Sequence, residues 1–378
     1  MVRRGWRVRV LTSARGYADP SRRYPRHEML DGVEVRRVAW GSWGKGSLGA
    51  RTAGGLLFLA QAFLRGLFGP RPTRVLVSTS PPMAPLFGAL LARLRWAPYT
   101  FWLMDLNPDQ AIATGAVAPQ ALSARLLERA NRAAARKSRA VIALDAFMAE
   151  RVRGRWQLGE NLAVLPPWPH EDHIAPIAHA DNPFRTRHGL QGKRVVMYSG
   201  NLSPVHPIDT ILQAARELRD DARLVFVFIG EGGGRAAVEE AIRHDRLDNA
   251  LLLPYQPLAE LRFSLSAADV HLVSMGANMV GIVHPCKVYG AMAAARPVIY
   301  LGPRRSHVGE LVENMNIGWH VDHGDVAGAV AALREIAGAP EEVLAERGAR
   351  AREALTGELS QGRLLASFCD LLERGVAG

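Results

Sequence analysis

An α/β fold of two doubly wound domains facing across a cleft is predicted by three observations. Strand-like and helix-like patterns alternate along almost the whole chain. Its 378 residues suffice for two hydrophobic cores. The alternation breaks once, at the loop-like "HEDHIAPIAHADNP" of 170–183, which reads as a linker.

In the first half, "VRVLTS" (8–13) and "VEVRRVAW" (33–40) have strand character. A helix around 54–68 leads to the strand "RVLVSTS" (74–80). Then follow a helix at 84–95, the strand "YTFWLMD" (99–105), a long helix near 120–137 and the strand "AVIALD" (140–145). In the second half, "RVVMYSG" (194–200) is a buried strand. The segment 208–220 sets Ile208, Ile211, Leu212, Ala215 and Leu218 on one helical face. Strands follow at 223–230, 250–255, 269–275, "PVIYLG" and "GWHVD" (318–322), with an amphipathic helix near 359–374. The expected domains are 1–180 and 181–358, with the final helix, 359–378, packing back on the first domain. A doubly wound domain normally opens with a strand, a glycine-rich turn and a helix; here "RRGWRVRVLTS" matches the second strand of that pattern. We therefore expect the native start roughly 25–35 residues upstream, at ordinary element lengths.

Composition narrows the function classes. Two cysteines, Cys286 and Cys369, make neither a disulfide framework nor a zinc site, which favours a reducing cytoplasm. The opening residues enter a strand pattern directly, without a signal-peptide pattern. Charge is uneven: residues 1–180 hold 26 Lys/Arg against 12 Asp/Glu, and residues 181–378 hold 21 against 24. The basic half has scattered arginines without interleaved aromatics, which argues against nucleic acid and leaves an anionic membrane surface as a partner. The run "GGLLFLAQAFLRGLFG" (54–69) is too short to span a bilayer and is interrupted by Arg65. It is a core helix on the ordinary view, or a helix lying partly in a membrane interface, with Phe58 and Phe63 inserting.

Two loops of the second half carry groups suited to an anion. In "VGIVHPCKVYGAMAAARPVIYLG" (280–302), Lys287 is the only Lys or Arg between Arg262 and Arg296, in the first turn of a helix after Pro285. It is either a solvated helix residue or a cation aimed at a phosphate beside free backbone N–H groups. In "VVMYSGNLSPVHPIDTIL" (195–212), Asn201, Ser203 and His206 lie just beyond a strand. Open α/β sheets bind ligands outside the carboxyl ends of their strands, so both loops belong to one rim. The glycines of "FIGEGGGRA" (228–236) do not spell a dinucleotide fingerprint, since Arg235 occupies the last glycine position; a flexible loop near a nucleotide fits better. "WLMDLNPDQA" (102–111) places Asp105, Asn107 and Asp109 after a strand of the basic half, as helix caps or as cleft residues. "HEDH" (170–173) carries metal-capable side chains, but neighbours in a linker rarely converge on one ion. No D-x-D triplet, G-x-S-x-G elbow or P-loop occurs.

The stretches "YSGNLSPVHPIDTIL", "LPYQPLAELRFSLSAADVHLV", "VGIVHPCKVYGAMAAARPVIYLGP" and "FWLMDLNPDQAIATG" together resemble the family-4 retaining glycosyltransferases of the GT-B fold. That fold is two Rossmann-like domains across a cleft, the first here lacking its opening strand and helix. Similar enzymes carry a proline–small–lysine–x–tyrosine box where this chain has Pro285, Cys286, Lys287 and Tyr289. The resemblance implies a sugar moved, with retention of configuration, from a nucleotide-sugar donor to a glycan or lipid-linked acceptor of surface-polysaccharide synthesis. With no D-x-D triplet to carry a cation, neither a metal nor a cofactor is expected, and the expected location is the cytoplasm or the inner membrane face. It implies catalytic roles for Lys287, Asp105 and His206. It implies donor contacts from Gly200, Asn201, Glu231, Tyr255, Gln256, Gly281, His284, Pro285, Cys286, Val288, Tyr289 and Glu310. Three departures stand out. The Glu-x7-Glu pair is replaced by Ile282 and Gly290, with Glu310 the candidate substitute; Asn201 and His206 replace the usual Arg and Lys of the donor loop; and the opening strand is absent. A nucleotide-sugar epimerase and a noncatalytic membrane-surface binding module remain as alternatives, whereas a nicotinamide-dependent oxidoreductase lacks its fingerprint.

Overall fold

A computed structural model describes residues 1–16, 21–41, 48–170 and 174–376. Three of the four residues of "HEDH" lie outside them. The chain divides into two compact units: Met1–Leu144 with Met148–Leu165 and Ala366–Gly378, and Asp145–Phe147 with Pro166–Leu365.

In the first unit, strands β1 (Arg9–Ser13), β2 (His27–Leu30) and β3 (Val33–Val38) form one ladder in the order β1-β3-β2. Strands β4 (Val75–Ser78), β5 (Tyr99–Trp102), β6 (Ala140–Ala143) and β7 (Leu162–Val164) form a second, wholly parallel ladder in chain order. The expectation of parallel strands throughout fails at β2, which runs antiparallel to β3. Its tight hairpin needs two residues of positive φ, supplied by Asp31 at 47° and Gly32 at 80°. β6 is buried along its whole length and alternates no polar residues, as a strand covered on both faces should. By contrast β1 and β4 pair on one side only among the described strands, and Val10 and Leu76 are exposed there.

Helices Leu48–Phe68, Ala84–Leu94 and Leu122–Arg136 pack side by side. Phe63 meets the Phe87 ring edge-on at 5.9 Å, and Phe58 is half-buried, which fits the core-helix reading of 54–69 rather than the alternative in which these two rings insert into a membrane. The outward apolar side chains are instead Leu56, Leu64 and Phe68, Leu86, Leu90 and Leu94, and Leu122 and Leu126. The spacing of four in 86, 90 and 94 sets three leucines in one outward row.

The final helix, Gln361–Arg374, runs into the first unit from Ala366 onward. Phe368 packs on Trp102 with ring centroids 4.9 Å apart. Asp370 and Glu373 accept from Arg4 at 2.6 and 2.9 Å, and Glu373 accepts from the Trp6 indole at 2.7 Å.

The second unit holds one six-stranded parallel sheet. In chain order its strands are β8 (Arg194–Ser199), β9 (Leu224–Ile229), β10 (Ala250–Leu253), β11 (Val270–Ser274), β12 (Val298–Leu301) and β13 (Gly318–Val321). Their spatial order is β10-β9-β8-β11-β12-β13. Alternation fills both faces. Val196, Tyr198, Phe226 and Phe228 join a core with Ile211, Ala215 and Leu333. Val195, Met197, Val227 and Ile229 join Phe184 and Leu190 on the other side. The winding reverses between β8 and β11, and the crevice outside the carboxyl ends of those two strands is where such sheets bind ligands.

Candidate active site

The loops leaving β8 and β11 are stitched to each other. The Gly276 N–H donates to the Val205 carbonyl at 2.9 Å, and the Ser274 hydroxyl donates to the Pro207 carbonyl. His206 Nδ1 lies 2.7 Å from the Ser274 carbonyl oxygen. A carbonyl only accepts, so Nδ1 carries the proton and Nε2 is left as a lone-pair acceptor. Burial, reinforced by the nearby Lys287 ammonium, pushes the imidazole down to about 4, so it is neutral at pH 7. His206 therefore brings no second positive charge to a clamp, contrary to a simple exchange of one donor-loop cation for another.

Lys287 opens the seven-residue helix Lys287–Ala293. Its Nζ sits 5.4 Å from the centre of the Tyr198 ring, and its methylene chain fills the place that a side chain on Gly200 would take. Burial pushes the ammonium down to about 8, which leaves it mostly charged at neutral pH. The N–H groups expected around the helix start are mostly spent. Those of Cys286, Val288 and Tyr289 donate to the carbonyls of His284, Pro285 and Cys286.

The glycine cluster has a packing role. Gly230 and Gly232 have φ of 149° and 133°, and a β-carbon on either would run into the backbone of Gly200 or Leu202. Leu202 N–H donates to the Glu231 carbonyl at 2.9 Å, and Gly234 N–H to the Leu202 carbonyl at 3.0 Å. Two bonds thus lock this loop to the β8 loop, where the sequence pointed to flexibility. Arg235 donates to the Gly230 and Leu253 carbonyls at 2.8 and 3.2 Å, tying the ends of β9 and β10.

The remaining candidates fall into three groups. Asn201, Glu231 and Tyr255 are exposed at this rim, with Asn201 Oδ1 beside Gly232, Tyr255 beside Gly230, and the Tyr198 hydroxyl donating to the Asn201 carbonyl at 2.6 Å. Cys286 is exposed next to Lys287, and Glu310 is exposed in the first turn of helix His307–Asn314. Gln256 is half-buried and donates back to the Pro254 carbonyl at 2.9 Å.

Val288 is fully buried core and Pro285 and Gly281 are buried, Gly281 with φ of 69°. The His284 and Tyr289 side chains also turn inward. His284 Nδ1 lies 2.9 Å from Asp145 Oδ2 and its Nε2 2.8 Å from the Tyr289 hydroxyl. Both ring nitrogens thus have protein partners, so His284 supports the rim from beneath and does not itself reach a donor. Asp145 and Tyr198 were missed from the sequence; Asp145 reads there only as the end of a strand.

In the first unit, Asp105 is exposed, its N–H donates to the Thr79 hydroxyl at 3.1 Å, and desolvation pushes its carboxyl up. Asp109 is structural. It is buried and receives Arg155 through two bonds of 2.7 and 2.8 Å and Arg151 at 3.1 Å. Although burial opposes ionisation, these guanidiniums hold its carboxyl below the usual range.

Two family models match the chain: the glycosyl transferase 4-like domain over residues 1–168, and the glycosyl transferases group 1 domain over residues 181–353. The chain belongs to the glycosyltransferases built from these two domains. It is similar to "Probable glycosyltransferase WbjE" of Pseudomonas aeruginosa, with 26% identity over 288 residues covering 74% of this chain and 71% of that protein. Among solved structures it resembles the sucrose-phosphate synthase of Thermosynechococcus elongatus, with a TM-score of 0.76 and 17% identity, covering 99% of this chain and 90% of that one. It also resembles Anabaena HepE, solved with UDP-glucose, with a TM-score of 0.67 and 14% identity, covering 90% and 86%. The fold is GT-B, as the sequence indicated, and the activity is glycosyl transfer. This membership also favours transfer over the epimerase and noncatalytic alternatives.

Proposed function

We propose that the enzyme transfers a sugar from a nucleoside diphosphate sugar to a glycan or lipid-linked acceptor, with retention of configuration and without a metal ion. The observation that carries this is the Lys287 ammonium, half-buried and packed against Tyr198 and Gly200 at the switch point of the second sheet. Departure of a diphosphate from an anomeric carbon builds negative charge on the leaving phosphate. A fixed cation aimed there stabilises the transition state more than the ground state. The UDP-glucose named for the HepE structure supports a nucleotide-sugar donor. Neutral His206 offers Nε2 as an acceptor for a hydroxyl. Asp105, with its raised carboxyl, is assigned to the acceptor side.

The decisive measurement is nucleoside diphosphate release from a panel of UDP-, GDP- and dTDP-sugars, with Lys287→Ala beside the wild type. A loss of about 10²–10³-fold is expected from removing one charge-stabilising group. Unchanged release would return Lys287 to an ordinary solvated residue. Activity is expected to survive EDTA; loss restored by Mg²⁺ would overturn the metal-independent part.

A peripheral membrane location is part of the same proposal. It is supported by the outward leucines of Ala84–Leu94 with Leu64, Phe68, Leu122 and Leu126, set among the arginines of the basic half. Among the described residues no helix is long and apolar enough to cross a membrane. Co-sedimentation with anionic vesicles should weaken as salt rises, yet persist in part through the apolar contacts. Equal binding to neutral and anionic vesicles, or none to either, would exclude charge-assisted docking.

A further inference from the structure

The turn that presents Lys287 is braced from inside the second unit by a chain of four polar side chains. Asp145 Oδ2 lies 2.9 Å from His284 Nδ1, His284 Nε2 lies 2.8 Å from the Tyr289 hydroxyl, and that hydroxyl lies 3.4 Å from His307 Nε2. The His284 and His307 rings are 4.3 Å apart. One imidazole therefore grips both ends of the segment 284–289, at whose centre Lys287 stands. The His284 and Asp145 side chains are 1% and 4% exposed, so water does not compete for these bonds.

Proton placement gives the chain its direction. An ionised Asp145 only accepts, which fixes the His284 proton on Nδ1. The Tyr289 hydroxyl has one proton and two nitrogen neighbours. With the His284 proton on Nδ1, Nε2 is the acceptor: Tyr289 donates to it at 2.8 Å, and His307 Nε2–H donates to the Tyr289 oxygen at 3.4 Å. Burial pushes His307 down to about 3, which keeps it neutral.

We propose that Asp145 is a positioning residue for glycosyl transfer, acting through His284 and Tyr289 to hold the turn that aims Lys287. This rests on the assignment of Lys287 to the donor's leaving phosphate. None of the three need touch the substrate. A misplacement of about 1 Å in a charge-stabilising group is enough to cost about 10²-fold in rate.

The test uses Asp145→Asn, Tyr289→Phe and the double variant in the full chain, beside Lys287→Met. Turnover is followed as nucleoside diphosphate release from UDP-glucose, UDP-N-acetylglucosamine, GDP-mannose and dTDP-rhamnose, using whichever the wild type consumes fastest. Each single variant should lower kcat by about 10–100-fold while the donor KM moves less than about threefold. The double variant should lose no more than the worse single one, because both break one chain. Asp145→Glu should recover part of the loss.

If the Asp145 and Tyr289 variants keep wild-type kcat while Lys287→Met is inactive, the positioning role fails and the donor site stands. If Lys287→Met is itself fully active, both fall. An independent readout is the ring ¹⁵N spectrum of His284, expected to show a protonated Nδ1 in the wild type. An unprotonated Nδ1 would overturn the proposal even if no donor in the panel is consumed.

Discussion

The side chain of Lys287 occupies the space that a β-carbon on Gly200 would need. Gly200 also has φ of 145°, a conformation that other residues rarely adopt. Replacing it with alanine therefore strains the β8 loop and pushes the ammonium away from Tyr198. Gly200→Ala is expected to reduce turnover by about 10²-fold, the scale of a misaimed catalytic group. Ala substituted at Gly233, which has open space around it, should be nearly silent by comparison. Equal activities of the two variants would show that the close approach does not matter.

The lysine should also shape the pH–rate profile. Its folded value is lowered to about 8, so kcat/KM should fall on the alkaline side with an apparent pKa near 8 as the ammonium loses its proton. Lys287→Arg should move that limb out of the accessible range, since a guanidinium keeps its charge. A limb that stays at pH 8 in the arginine variant belongs to another group.

Acid should destabilise the protein through buried neutral histidines. Desolvation holds His206 and His271 at about 4 and His307 at about 3. Between pH 6.5 and these values the unfolded chain binds protons that the native state refuses, so stability falls as pH falls through that window. For fully buried His271, whose Nε2–H donates to the Leu265 carbonyl at 2.9 Å, the loss approaches about 3 kcal/mol by pH 4. Urea midpoints from pH 7.5 to 4.5 should decline, and the slope should lessen in His271→Gln. A flat profile would contradict the neutral assignment.

Asp105 and Asp109 should separate cleanly. Asp109→Ala strips a buried carboxylate from Arg155 and Arg151, and is expected to cost about 2–4 kcal/mol, below the fully buried case because the arginines are partly exposed. Asp105→Asn should leave urea stability within about 0.5 kcal/mol, as surface changes usually do, yet lower transfer to the acceptor. The opposite pattern would exchange the two assignments.

Strand positions in the second unit were legible because both sheet faces are buried there, so β8, β9 and β11 appear as short apolar runs. The hairpin of β2 was not read from "HEML", which has no alternation and lies on an exposed edge; the available signal was Asp31–Gly32 immediately after it. Helix Ala146–Trp156 was also missed. Its buried side chains, Met148, Ala149, Val152 and Trp156, lie among three arginines that blur the apolar stripe. Lys287 stood out for its isolation in an arginine-rich chain. Its support did not, because Asp145 is 139 residues from His284 and no local pattern joins them. A sequence shows which side chains are available at a rim, whereas the inward partners that orient them come from the folded contacts.

Apart from the brief excursion at Asp145–Phe147, the backbone leaves the first unit at Leu165 and re-enters it at Ala366, so in chain connectivity most of the second unit is an insert within the first. A single proteolytic cut in the linker would therefore not liberate an intact amino-terminal fragment. It would leave Trp102 without the ring of Phe368 and Arg4 without Asp370 and Glu373. Dissection of this enzyme calls for a split protein: the fragment ending near Leu165 should regain cooperative melting when a synthetic peptide of residues 361–378 is added in trans.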